Sequence, residues 1–177
     1  RENDIEALAF KGPTLSKTAY GDITLRQFGD LDILIKRSDI TLMIDLLIAE
    51  GYTPQLDLNT KMKDTFLNTL NVIGFYKSAT NTLIEIHYKL LSKNYAITWH
   101  ENAIWNQKKE YVTINGTSIP VLPTEEHLLY LCVHGSKHLF ERLEWVCDID
   151  RSIRSNSDID WNYILKKAEK RGITRML

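Results

Sequence analysis

A chain of 177 residues with 44% apolar and 25% charged side chains has room for one domain or a compact two-lobed one, and its composition is that of an ordinary folded protein. A net charge of −1 gives no global basic field to recruit nucleic acid, no signal peptide is visible, and no apolar run approaches the roughly 20 residues that cross a bilayer. Cys132 and Cys147 fit no disulfide framework or zinc spacing, which points to a reduced, cytoplasmic setting.

In chain order, residues 5–10 read as a short strand or the end of a helix, broken at Lys11-Gly12-Pro13, and 13–20 as a short helix. Residues 31–36 form an apolar strand. Ser38 then caps a helix that runs to about Glu50 on Ile40, Met43, Ile44, Leu47 and Ile48, with Gly51 as its stop. A short helix is expected over 60–69, then strands over 71–78 and 82–90 joined by a hairpin at Ala79-Thr80-Asn81. Residues 91–107 carry no clear period. Asn115-Gly116 between two β-type runs is the strongest hairpin signal in the chain. After it, Thr124 caps a helix to about Leu139, and 141–155 and 159–171 are two more helices. The layout divides near residue 122, into a mixed α/β lobe over 1–122 and a helical lobe over 123–177. The first residue is not Met, and the chain stops in mid-pattern at Leu177, so both ends read as trimmed.

The chemistry concentrates in Gly29-Asp30-Leu31-Asp32. Alternate strand side chains share a face, so Asp30 and Asp32 point the same way, roughly 7 Å apart, where oxygen ligands can share divalent cations. Gly29 removes bulk where a triphosphate approaches. The same Asp-Ile-Asp spelling recurs at Asp148/Asp150 and Asp158/Asp160. The first lies in a helical pattern, where residues two apart diverge around the axis, and the second reads as a helix cap.

Taken together, Lys11-Gly12, Arg26, Gly29 to Asp32, Glu85-Ile86-His87, and His134-Gly135 through His138 with Leu143, Trp145 and Asp148 resemble the uncharacterised bacterial nucleotidyltransferases of the DNA polymerase beta-like superfamily. The resemblance spans about residues 9 to 172. It implies an α+β fold: a mixed sheet of four to five strands flanked by helices, followed by a helical C-terminal part. It implies Mg²⁺ (or Mn²⁺) held by Asp30, Asp32 and Glu85, with Glu85 alternatively serving as general base. It also implies an NTP donor bound by Lys11, Gly12, Arg26 and Gly29, and transfer to an acceptor that is a small molecule, a peptide or protein side chain, or an RNA end. Two departures stand out. Pro13 follows Gly12 where the superfamily has Gly-Ser or Gly-Gly, which removes one N–H, and Gly12 lies eighteen positions before Asp30, farther than is usual. Thr14, Ser16 and Lys11 are the substitutes as phosphate ligands.

Each feature also has a plainer role. Arg26 suits an ion pair with Asp22 or Asp30 as well as a phosphate, and Lys11 suits the surface. His87 suits a substrate contact or a structural hydrogen bond. His134 and His138, at helical i, i+4 spacing, suit packing between the lobes or the acceptor side of a cleft; with Gly at 135 they lack the Glu of a zinc protease. Trp145, Leu143 and Leu139 read as helix core, and Lys166, Lys167, Lys170 and Arg171 as a solvated helix end. The sequence thus points to a metal-dependent nucleotidyltransferase. A kinase-like phosphotransferase and an inactive binding module on the same scaffold are the alternatives.

Overall fold

A computed structural model describes residues 4–56, 67–92, 95, 97 and 99–177. Its centre is a seven-stranded mixed sheet in the order β3-β4-β5-β2-β1-β7-β6, built from β1 (Ala7–Ala9), β2 (Asp30–Ile35), β3 (Thr53–Pro54), β4 (Val72–Lys77), β5 (Thr82–His87), β6 (Glu110–Ile114) and β7 (Thr117–Val121). β2–β5 and β1–β7 pair in parallel and the other neighbours antiparallel. The sheet is wider than the expected four to five strands. β1 recruits the Asn115-Gly116 hairpin through Ala9 and Val121, and β3 adds to the far edge beside β4. Asn115 (φ 49°) and Gly116 (φ 77°) are both left-handed, as a tight hairpin turn of the matching twist requires.

Strand alternation divides the apolar residues between two cores. On one face Leu8, Phe10 and Leu34 pack against α1 (Gly12–Tyr20), α4 (Thr124–Lys137) and α6 (Trp161–Arg171). On the other, Ile35, Ile73, Phe75, Ile84 and Ile86 pack on Ile40, Ile44 and Leu47 of α2 (Ile40–Ala49). Residues 91–107 contain the single-turn α3 (Asn102–Trp105), whose Ile104 enters the first core. α5 (Leu143–Arg154) runs beside α4 and α1. Most of the helix expected over 60–69 falls outside the described residues, although 67–69 are helical.

Three local expectations change. Ser38 lies in a 3₁₀ turn (Arg37–Asp39) and bonds Asp39, so it is not the N-cap of α2. Thr124 is the first residue of α4 rather than its cap: Glu110 of β6 accepts from its N–H (3.1 Å) and its hydroxyl (2.7 Å), so a neighbouring strand supplies the carboxylate that a helix start favours. Leu139 and Leu143 are 88% and 74% exposed instead of core. The reason is the α4–α5 turn. Leu139 (φ 54°) and Phe140 (φ 50°) take left-handed backbone there, Phe140 lays its ring where a Cβ on Gly135 would stand, and Leu139 is left outside.

Candidate active site

β2 carries the site because its sequence alternates: Leu31 and Ile33 face α2, while Asp30, Asp32 and Leu34 face the other way, with only Leu34 reaching the α4 core. The parallel register puts Asp32 beside Glu85 and Leu34 beside His87. Three acidic or imidazole groups therefore meet. His87 Nε2 lies 3.1 Å from Asp32 Oδ1 and 3.3 Å from Glu85 Oε2, and one ligand atom from each of Asp32, Glu85 and His87 falls within 4.8 Å of the others. Among the described residues this is the group with metal-ligand spacing. Asp30 sits on the same face one step up the strand, outside that cluster.

The segment before α1 is stitched to this strand. Phe10 N–H donates to the Asp32 carbonyl at 3.3 Å. Gly12 has φ +56°, and a Cβ there would stand 2.7 Å from the Asp30 carbonyl oxygen, so only glycine permits the approach. Pro13 occupies the first turn of α1, where a missing N–H costs least. The stitching brings Lys11 Nζ to 2.6 Å from Asp32 Oδ1, a partner its sequence context did not reveal.

These contacts set the charges. Burial favours a neutral Asp32, yet the His87 hydrogen bond and the Lys11 ammonium outweigh it and hold the carboxyl below its usual range. Burial likewise opposes charge on His87, but its hydrogen bonds to Asp32 and Glu85 raise its pKa and favour the imidazolium. Burial and the Asp32 charge push Asp30 upward. Asp32 Oδ2 and His87 Nδ1 are buried without a hydrogen-bond partner among the described residues.

Asp30 and Asp32 open onto a cavity of about 750 Å³, floored by Lys11, Gly12 and Arg26–Asp30 and walled by Leu131 and His134 of α4 and Arg142, Glu144, Trp145 and Asp148 around the start of α5. Asp148 is buried on α5 and forms a bidentate pair with Arg26 (Nε–Oδ1 2.8 Å, Nη2–Oδ2 3.0 Å). Arg26 also reaches Glu144 at 3.0 Å, and Tyr20 donates to Asp148 at 2.9 Å. Arg26 thus pairs with α5 and not with Asp22 or Asp30. Arg142 is the looser cation of the wall: its side chain is 63% exposed, 3.9 Å from Glu144 and over the Trp145 ring. Trp145 packs on His134 (5.2 Å between centroids) and His138 (5.1 Å), so it is at once packing and cavity wall. Burial, with the nearby Lys11 and His138 charges, drops His134 to about 3.

Other expected residues are engaged elsewhere. Thr14 is buried and donates to the Lys11 carbonyl (2.8 Å), and Ser16 to that of Asp22 (2.9 Å). Neither lines the large cavity; Thr14 lines a separate one of about 200 Å³. Arg171 is no part of a solvated helix end, since it is buried against Glu126 at 2.9 Å and lies over Trp99 at 4.1 Å. Arg142 and Glu144 went unremarked in the sequence. Their signal was a charged pair at the start of an otherwise amphipathic helix, beside a tryptophan.

The fold is that of a nucleotidyltransferase. The antibiotic-resistance factor ANT(2'')-Ia, known from a solution structure, superposes with a TM-score of 0.60 at 10% identity, over 98% of this chain and 84% of that one. An antigenic nucleotidyltransferase-like protein from Paracoccidioides brasiliensis gives 0.50 at 13% identity, over 97% and 83%. The chain belongs to a family described as uncharacterised nucleotidyltransferase, whose model matches residues 1–177. No curated protein matches the sequence. Among the described residues no helix is long and apolar enough to cross a membrane.

Proposed function

We propose that this protein transfers a nucleoside monophosphate from an NTP to an acceptor and releases pyrophosphate. The observation that carries the reading is the Asp32–Glu85–His87 donor cluster beside a polar 750 Å³ cavity, in a family and fold of nucleotidyltransferases. The residues fit a divalent cation: two carboxylates converge, Asp32 Oδ2 is buried with no partner among the described residues, and His87 adds a ring nitrogen once its proton is lost. Asp32 and Glu85 would hold Mg²⁺ or Mn²⁺, with Asp30 on the same strand face and His87 in reach. A bound cation supplies charge for the triphosphate and acidifies the attacking hydroxyl.

The chain's own groups do the rest. Lys11 and Arg142 face the cavity as cations for phosphate. Gly12 at the start of α1 lines the same space, with Pro13 removing one donor. Glu85 either completes that metal site or takes the acceptor's proton. Arg26 holds the loop that delivers Gly29 and Asp30. The helical part over 123–177 contributes the second wall, where the acceptor would lie against His134 and Trp145.

One observation favours the non-catalytic reading. Lys11 and His87 already balance the Asp32 charge, so the carboxylates can persist without a cation. Calorimetric titration of the four NTPs with Mg²⁺, on the native chain and on Asp30→Ala/Asp32→Ala, separates the two. Metal-dependent binding that the double variant loses supports the transferase, and no binding to folded protein supports the module. Pyrophosphate among the products, rather than nucleoside diphosphate, excludes the kinase-like alternative.

A further inference from the structure

Two side-chain nitrogens, one of them a fixed ammonium, converge on one oxygen. Asp32 Oδ1 receives Lys11 Nζ at 2.6 Å and His87 Nε2 at 3.1 Å, while the Asp32 side chain is fully buried and that of Lys11 is 17% exposed. Lys11 is not there by the chance swing of a surface side chain. The Phe10 bond to Asp32 and the close fit of Gly12 on Asp30 fix the backbone on both sides of it against β2.

The two groups differ in mobility. His87 is set by strand register and is almost wholly buried, so it stays. Lys11 carries its charge on a four-carbon stem and borders the open cavity. A divalent cation held by Asp32 and Glu85 would stand within a few ångströms of that ammonium, and like charges in a half-buried site repel strongly.

We propose that Lys11 gates the metal site: its ammonium leaves Asp32 when a divalent cation is held there, and the phosphates of the incoming nucleotide receive it. Cation alone binds weakly, and cation and nucleotide bind together. The gate rests on the nucleotidyltransferase reading above. It makes Lys11 a coupling residue as well as a phosphate ligand, and it keeps the carboxylates charge-balanced between turnovers. Linkage makes the coupling reciprocal, so nucleotide also binds weakly without cation.

The probe is Mn²⁺, titrated calorimetrically into the native chain, Lys11→Met and Lys11→Arg, each alone and with an ATP analogue bridged by methylene between the α and β phosphorus atoms. The native chain binds Mn²⁺ alone weakly. Lys11→Met binds it more tightly by roughly 5- to 150-fold, the span of ordinary site coupling, and gains less from nucleotide. Lys11→Arg keeps the native pattern. A folded Lys11→Met that binds Mn²⁺ alone no more tightly than the native chain overturns the gate. A second readout needs no variant: acylation of Lys11 in the native protein, followed by mass spectrometry, speeds up on adding Mn²⁺ and slows again with the analogue. Unchanged Lys11 reactivity with Mn²⁺ bound also overturns it. Absence of Mn²⁺ binding with and without nucleotide overturns the transferase reading itself.

Discussion

Asp30 and Asp32 stand two positions apart on one strand, yet their surroundings are electrostatic opposites. Asp32 is paired with Lys11 and His87, while Asp30 is raised by burial and by the charge of Asp32. Removing each charge in cation-free buffer therefore has opposite signs. Asp32→Asn leaves the Lys11 ammonium and the buried His87 ring without the carboxylate that holds them and should cost about 2–4 kcal/mol, since breaking one side of a buried pair is expensive. Asp30→Asn relieves repulsion and should leave the melting temperature level or higher. Both should abolish cation-dependent nucleotide binding. Thermal melts in EDTA check the first pair of signs, and equal loss of stability in both variants contradicts the charge assignment. Gly12→Ala is the steric counterpart. It meets a left-handed φ and a carbonyl at 2.7 Å, so it should lose at least about 1–2 kcal/mol in urea unfolding and weaken nucleotide binding.

Between elements, the contact that matters most joins the loop over 21–29 to α5. Arg26 and Asp148 are 122 positions apart, and their side chains are 8% and 1% exposed. This explains what the sequence showed and what it did not. The β2 strand, the Asn115-Gly116 hairpin and the helical end were legible because each is written in local alternation, turn chemistry or 3.6-residue period. The Asp30–Asp32–Glu85 grouping rests on spacing and family resemblance, and the register adds His87 beside Asp32 and Glu85, with Asp30 farther along the same strand face. Partners across the fold had no local signature: Arg26 with Asp148, Lys11 with Asp32, Glu110 with Thr124. Leu139 and Leu143 fit a helical period that the turn at Phe140 interrupts. At this scale Asp148→Ala should destabilise by about 3–5 kcal/mol, because Arg26 stays buried without its counter-ion. Hydrogen exchange in residues 21–29 should rise with it. Arg26→Met/Asp148→Leu should recover much of the stability but not nucleotide binding. A double variant no more stable than Asp148→Ala would show that packing, not charge, fastens the loop.

Across the whole molecule, acid stability is governed by histidines that the fold keeps neutral. Burial, reinforced by the nearby Arg26 and Lys11 charges, lowers His127 from 6.5 to about 4, even though its ring donates to the Phe10 carbonyl; its Nε2 has no partner among the described residues. His134 falls to about 3. Between pH 6.5 and 4 the unfolded chain therefore binds more protons than the folded one at both positions, and stability rises with pH across that window. Acidifying from pH 7 to 4 should remove about 1–3 kcal/mol for each histidine. His87 runs the other way. Its raised pKa gives stability that is full below the unfolded value and is lost as pH climbs through the folded one. The windows do not overlap: His87 changes stability only above about pH 6.5, and His127 and His134 shape the acid limb below it. His127→Asn isolates the effect, since its amide keeps a donor near the Phe10 carbonyl but carries no titrating proton. Urea unfolding at pH 7 and at pH 4.5 should show the variant less stable than the native chain at pH 7 and losing less on acidification. The same loss in both proteins would mean that His127 is not neutral in the fold, and that acid sensitivity lies with His134 or elsewhere.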